Sequence, residues 1–202
     1  MQPNLHPAPD DDQLQSALES LLLVAGGPVA LSSLATATAT SRATITRALK
    51  LLQGRLSGGI RLQLDGDWAQ LVSAPENVEQ VHAFLGTAKP PPLSRATLET
   101  LTVIAYRQPL TRAEVDTARG VNSNRPVQIL LARGLIEERG ARDALGHPMQ
   151  YGTGLPFLEY FGLASLEDLP PIPEAEIAAV NAETIGLRRS SNEEPVKGDT
   201  AG

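Results

Sequence analysis

LETLTVIAYRQPLTRAEVDTARGVNS, residues 98–123, decides the fold. Leu98, Leu101 and Ala105 fall on one helical stripe, as a core-facing helix requires. Gln108-Pro109 stops that helix, because the proline ring clashes with the preceding turn and biases the residue before it away from helical angles. Thr111-Arg-Ala-Glu114 has the spacing of a capping box, in which hydroxyl and carboxylate each satisfy an orphan amide at the next helix start. Gly120 supplies a left-handed exit, and Asn122 or Ser123 caps a third helix through Val127, Leu130 and Leu131. Three short helices joined by tight turns make a helix-turn-helix unit.

Working outward, Leu135–Arg139 and Met149–Thr153 read as the strands of a hairpin wing with its tip at Gly140–Pro148, and Phe157–Phe161 as a closing helical turn. The first half shows the same order. Leu14, Ala17, Leu18, Leu21, Leu22 and Ala25 recur at the helical period before Gly26-Gly27-Pro28 stops the helix. Val29–Ala37 reads as a second helix, and Ser41 caps a third carrying Ile45, Leu49, Leu52 and Leu56. Ile60, Leu62 and Leu64 alternate as in a half-buried strand, Asp65-Gly66-Asp67 turns, and Trp68–Ser73 returns. Pro75 opens a last helix with Val78, Val81 and Leu85.

The expected fold is mainly α with small β-hairpin wings (α+β): two tandem winged-helix domains. The expected boundaries are a disordered leader over 1–12, an N-terminal winged helix over 13–86, a Pro-rich spacer over 87–93, a C-terminal winged helix over 94–169, and a largely disordered tail over 170–202. Within that tail, Ile172–Leu187 reads as a marginal helix.

Composition bounds the chemistry. Of 202 residues 42% are apolar, enough for packed cores, and 3% are aromatic, too few for a base-stacking nucleic-acid module. The chain has no cysteine, hence no disulfide framework or thiolate metal site. No signal peptide and no membrane-length apolar run is read, so a cytoplasmic protein is expected. Net charge is −6, which opposes generic attraction to polyphosphate, although Leu93–Thr153 holds eight arginines against six carboxylates.

Candidate chemistry is sparse. His6, His82 and His147 lie far apart without a second ligand at helical spacing, and neither a nucleophile elbow nor a phosphate-binding glycine loop occurs. Glu137-Glu138 is the sole adjacent carboxylate pair in a strand, so an enzyme is not expected, nor a cofactor. A winged helix can read DNA through its third helix, which offers Arg42, Arg47, Lys50 and Arg55 in the first domain, and Asn122, Asn124, Arg125, Gln128 and Arg133 in the second. Solvated helix faces account for both sets equally well, so a winged-helix DNA-binding transcriptional regulator stands as the alternative reading.

The segments LSRATLETLTVIAYRQPLTRAEVDTARGVNS, LLARGLIEERG and GHPMQYGTGLPFLEYFGLASLEDLP resemble bacterial segregation and condensation protein B (ScpB). AGGPVALSSLA and GGIRLQLDGDWAQLVS follow the same family in pattern, so the resemblance runs from about Leu14 to Pro170, while Arg125-Pro126 departs from it. The resemblance implies two tandem winged helices, a homodimer built mainly through the N-terminal domain, and a non-catalytic role in chromosome segregation and condensation. It implies binding to the kleisin (segregation and condensation protein A), which bridges SMC ATPase heads, with nucleoid association through that complex and weak or absent direct DNA binding. On this reading the kleisin contact falls on both domains, in the second at Tyr106, Arg107, Gln108, Pro109, Arg112, Val121 and Asn122, since tyrosine and arginine desolvate area while keeping a polar end satisfied. The competing structural reading makes Tyr106 a core-edge residue and Pro109 a helix stop. Leu18, Leu22 and Leu23 are the candidates for a dimer face on the first helix.

Overall fold

The computed structural model describes residues 10–88 and 90–171. These described residues fall into two compact units: those from Asp10 to Pro92 with Thr153–Leu169, and Leu93–Gly152 with Pro170 and Pro171. Most of the leader and the Ile172–Leu187 helix lie outside the described residues.

In the first unit, α1 (Asp11–Ala25) begins at Asp10, so Asp11 and Asp12, expected in the leader, already form its first turn. Their charges suit the positive end of the helix dipole. The helix ends at Gly26, whose φ of 61° is open to glycine at no steric cost. Val29–Ala30, expected as the start of a helix, instead forms strand β1, because it pairs with Ala69 and Trp68. The helix α2 proper covers Leu31–Ala37. Helix α3 (Arg42–Arg55) is capped by Ser41, whose Oγ accepts from the Thr44 amide at 3.1 Å. Strands β2 (Ile60–Asp65) and β3 (Trp68–Ser73) form the hairpin, in a sheet of order β1-β3-β2. A 3-10 turn at Pro75–Asn77 leads to α4 (Val78–Leu85).

The core joins Leu14, Leu18 and Leu22 of α1 to Leu31 and Leu34 of α2, Ile45, Leu49 and Leu52 of α3, and Leu62 and Ala69 of the hairpin. Each buried leucine contributes roughly 1.5–3 kcal/mol by leaving water. Leu18 and Leu22 are 0% and 1% exposed, so they belong to this core and not to a dimer face. The stripe that holds them together is the one that packs on α3.

The alternation expected of β2 fails: Gln63 and Asp65 are as buried as Leu62. Alternate residues of a strand point to opposite faces, and the face opposite the helices is covered by Thr153–Leu169. This segment includes α8 (Leu155–Phe161), which was expected to close the second domain but belongs to the first unit. The Gln63 amide donates to the Leu163 carbonyl at 2.8 Å and accepts from Gln70 at 2.9 Å. At the outer edge of β2, the Leu64 amide donates to the Ala164 carbonyl at 3.0 Å. Gln53 of α3 donates to the Leu62 and Ala164 carbonyls at 3.1 and 3.2 Å. The buried amides are therefore satisfied, which is the condition for their burial.

The second unit repeats the order. Helix α5 (Arg95–Arg107) is followed by β4 (Leu110–Thr111), α6 (Arg112–Arg119), α7 (Asn124–Ala132), β5 (Ile136–Ala141) and β6 (Met149–Thr153), with sheet order β4-β6-β5. Both units are thus winged helices with a short third strand. The buried stripe of α5 is Thr97, Thr100, Leu101, Ile104 and Ala105, whereas Leu98, placed on it by spacing, is 41% exposed. Two threonines take inward positions because their hydroxyls are satisfied locally, Thr100 by the Ala96 carbonyl at 2.8 Å and Thr97 by Ser94 at 2.8 Å. Leu93, expected in the spacer, is buried in this unit.

The capping box is present. The Thr111 amide donates to Glu114 Oε2 at 2.8 Å, and the Glu114 amide donates to Thr111 Oγ1 at 3.4 Å. The other oxygen, Oε1, accepts from Arg142 of the wing at 2.6 Å, so one carboxylate caps α6 and holds the wing. Arg142 first, and the Thr111 amide second, lower the Glu114 pKa to about 2. Behind it, Arg119 is 9% exposed and donates to Glu99 Oε2 and Ser123 Oγ, each at 3.0 Å, while the Ser123 amide donates to Asp116 at 2.6 Å.

Two stability predictions follow from these contacts. Leu49→Ala empties a fully buried position and should lower unfolding free energy by about 3 kcal/mol in a denaturant titration. Because the folded pKa of Glu114 is depressed, its contribution is complete above the ordinary value of 4.5 and lost as pH falls toward about 2. Glu114→Gln should therefore be less stable than the parent at neutral pH, with the gap closing across that acid window; a constant gap would show that the charge is not involved.

Candidate functional site

The third helix of the first unit carries the cations that would face a duplex, and each already meets a carboxylate of its own unit. Arg42 pairs with Asp67 of the hairpin turn, Arg47 with Asp11 at 2.8 Å, Lys50 with Glu167 at 3.7 Å, and Arg55 with Asp12 at 3.2 Å. Exposed ion pairs of this kind add little stability. Their consequence is for the local field, in which each cation of the helix is paired with a carboxylate.

In the second unit, the residues proposed from sequence occupy two neighbouring corners of the chain path. At the end of α5, the Tyr106 hydroxyl donates to the Pro170 carbonyl at 2.7 Å, and burial raises its pKa above the ordinary phenol value. Arg107 and Pro109 are exposed, and Gln108 is half-buried, its amide donating to the Ala105 carbonyl at 3.2 Å. Gln108 also lies over Gly152 of β6, where an added Cβ would come within 2.6 Å of its Oε1.

The second corner joins the starts of α6 and α7. Exposed Arg112 donates to Asn124 Oδ1 at 3.2 Å, exposed Asn122 accepts from the Asn124 amide at 3.0 Å, and Val121 is half-buried between them in sequence. Asn122, not Ser123, is the side chain that caps α7, because Ser123 is fully buried and bound to Arg119 and Asp116. Sequence reasoning missed the Arg112–Asn124 bond and the Glu99–Arg119–Ser123 network. Burial raises the Glu99 pKa, but Arg119 and Arg95 outweigh it and hold the carboxyl below its usual range. Arg112 and Asn124 are 12 residues apart and Glu99 and Arg119 are 20 apart, beyond any local spacing rule.

The dimer candidates separate. Leu23 is 65% exposed, and next to it Val24 is 86% and Leu21 37% exposed, while Leu18 and Leu22 are in the core. The outer side of α1 is therefore an apolar strip made of residues that the helical core stripe excludes.

The remaining sequence candidates are dispersed. His82 bonds Thr87 at 2.8 Å, His147 sits at the wing tip, and His6 lies outside the described residues. Glu137 and Glu138 are both exposed, and Glu137 pairs with Arg139 at 3.2 Å. Among the described residues no group of three His, Cys, Asp or Glu is placed to hold a metal ion, and no helix is long and apolar enough to cross a membrane.

Comparison with known proteins gives one consistent outcome. The family described as segregation and condensation complex subunit ScpB matches residues 16–172. Segregation and condensation protein B of Moorella thermoacetica is 40% identical over 182 residues, covering 89% of this chain and 93% of that protein. Its counterpart from Desulforamulus reducens is 41% identical over 186 residues, covering 87% and 97%. A crystal structure of ScpB from Mycobacterium tuberculosis is 39% identical and covers 78% of this chain and 99% of that one, with a TM-score of 0.37. The family match runs through both winged helices and the return segment Thr153–Leu169, and on that ground the chain belongs to the ScpB family.

Proposed function

We propose that this chain is a non-catalytic subunit of an SMC–kleisin condensation complex that binds the kleisin, segregation and condensation protein A, and through it the SMC ATPase heads. The observation carrying this reading is the family match across both winged helices, to a family described as a complex subunit. The internally paired cations of α3 support it against the DNA-reading alternative. The chain then acts in chromosome segregation and cell division in the cytoplasm, reaching the nucleoid through its complex.

The kleisin contact is assigned to the two corners of the second unit: Tyr106, Arg107, Gln108 and Pro109 at one, Arg112, Val121 and Asn122 at the other. Arginine and tyrosine are the side-chain types whose truncation most often weakens an interface. Tyr106 contributes its ring, since its hydroxyl is already bonded to Pro170. The homodimer is assigned to the N-terminal unit through the outer strip of α1, with Leu23 retained and Leu21 and Val24 in place of the buried Leu18 and Leu22.

Size-exclusion chromatography with light scattering tests the reading. The chain mixed with the kleisin should elute as a stoichiometric complex, and two independent peaks would refute it. Tyr106→Ala with Arg112→Ala should weaken that complex by about 30-fold or more, the equivalent of one hot spot, at nearly unchanged melting temperature; normal binding would make these residues scaffold. Leu23→Glu with Val24→Glu should convert a dimer to a monomer in the same experiment, and an unchanged mass would move the dimer face elsewhere. A short duplex at low salt should show no submicromolar, salt-steep binding in fluorescence anisotropy.

A further inference from the structure

The segment that covers the sheet of the first unit is bound differently from the core beneath it. Strand pairing sets Leu62 opposite Leu71 and Leu64 opposite Ala69, and these residues pack with the helices. The other face of the same hairpin carries the pairs Arg61–Val72, Gln63–Gln70 and Asp65–Trp68. That composition is the one an antiparallel sheet shows on a face turned to water. The hydrophobic core joins α1, α2, α3 and the hairpin, and none of its described members comes from Thr153–Leu169. The winged helix is therefore packed as one layer, and the covering segment lies on it as another.

Hydrogen bonds from three side chains and backbone amides hold this second layer. The Leu163 carbonyl accepts from Gln63 at 2.8 Å, and the Ala164 carbonyl accepts from Gln53 at 3.2 Å and from the Leu64 amide at 3.0 Å. Exposed Asp168 accepts from the Ala164 and Ser165 amides at 3.0 and 2.9 Å, which shapes the end of the segment that presents those carbonyls. Phe157 and Leu158, 2% and 0% exposed, add apolar anchorage in α8, which packs on β2. The Lys50–Glu167 pair is exposed at both ends and adds little. When the segment lifts, Gln53, Gln63 and the Leu64 amide exchange protein acceptors for water, which costs little net. Gln63 and Gln70 keep their mutual bond. The cost of lifting is mainly the exposure of the α8 side chains.

We infer that Thr153–Leu169 is a releasable strap, which opens as one unit while α1–α3 and the hairpin stay folded and so bares the outer edge of β2. Cooperative local opening below the energy of global unfolding is the general behaviour of such units. The edge matters because an unpaired strand edge is where an extended chain adds to a sheet. Closed, the strap fills that edge with its own Ala164 carbonyl. Open, it leaves the Leu64 amide to water or to another strand. The strap thus sets whether the first unit presents a closed sheet or an accepting one.

Native-state hydrogen exchange on the full-length protein, read amide by amide by NMR, tests this. The Leu64 amide reports on the strap because its acceptor belongs to it, and the Leu163 amide, bonded to the Leu158 carbonyl at 2.8 Å, reports from within. Both should be at least about tenfold less protected than Leu49 and Leu52 of α3, equally so, and with little dependence on denaturant. Asp168→Ala removes an exposed cap, so it should lower the protection of Leu64 by a further factor of about five and leave Leu49 and Leu52 unchanged. The chain has no cysteine, so Lys50→Cys with Glu167→Cys can be bridged selectively by a short bis-maleimide. The bridged protein should protect Leu64 as well as it protects α3. Equal protection of Leu64, Leu49 and Leu52 in the parent would overturn the inference. So would unequal protection of Leu64 and Leu163, an Asp168→Ala effect shared by α3, or a bridge that leaves Leu64 exchange unchanged.

Discussion

A three-stranded sheet has two faces and a free edge, and three short helices cover only one of the faces. The N-terminal unit solves this with a segment from far along the chain: Leu163 and Ala164 lie against β2, joined to it by Gln63, Gln53 and the Leu64 amide. These bonds end the exposed edge of β2, which otherwise presents unpaired donors and acceptors. They also explain why two glutamines, Gln63 and Gln70, are buried in these strands. Because the segment arrives after the second winged helix, the first unit is discontinuous in sequence, and Leu93–Gly152 of the second unit lies between its two parts.

The same segment affects the surface chemistry. Glu167 reaches Lys50, and together with Asp11, Asp12 and Asp67 it leaves the third helix of the first unit without uncompensated positive charge. A winged helix adapted to DNA keeps that helix basic, because phosphate neutralisation supplies most of the affinity. The surfaces proposed here for recognition are apolar or mixed: the outer strip of α1 and the corners around Tyr106 and Arg112. Such surfaces suit polypeptide partners, for which desolvated aromatic and aliphatic anchors matter more than net charge.

In the second unit one carboxylate has two tasks. Glu114 completes the capping box with one oxygen and holds Arg142 with the other. The start of α6, the short strand before it and the wing are thereby positioned together, and both candidate corners flank this point. Arg119 does similar work from inside, linking α5 to the turn before α7 through Glu99 and Ser123. The buried charge is tolerated because two of its nitrogens are paired with good geometry.

What the sequence determined by itself was local. The Ser41 cap, the Thr111–Glu114 box, the left-handed exits at Gly26 and Gly120 and the hairpin turn at Gly66 all depend on contacts within about four residues, and all are present. The repeated order of these signals was enough for two winged helices. What only the tertiary structure decided is which surface each stripe faces. Leu18 and Leu22 lie on a stripe that is the same for a core and for a dimer seam, and only the position of α3 makes them core. Val78, Val81 and Leu85 show the same periodicity, yet none of them is buried among the described residues. Ownership of Thr153–Leu169 and the burial of Gln63 rest on hydrogen bonds spanning about a hundred residues, and amphipathic spacing carries no information about a partner so far along the chain.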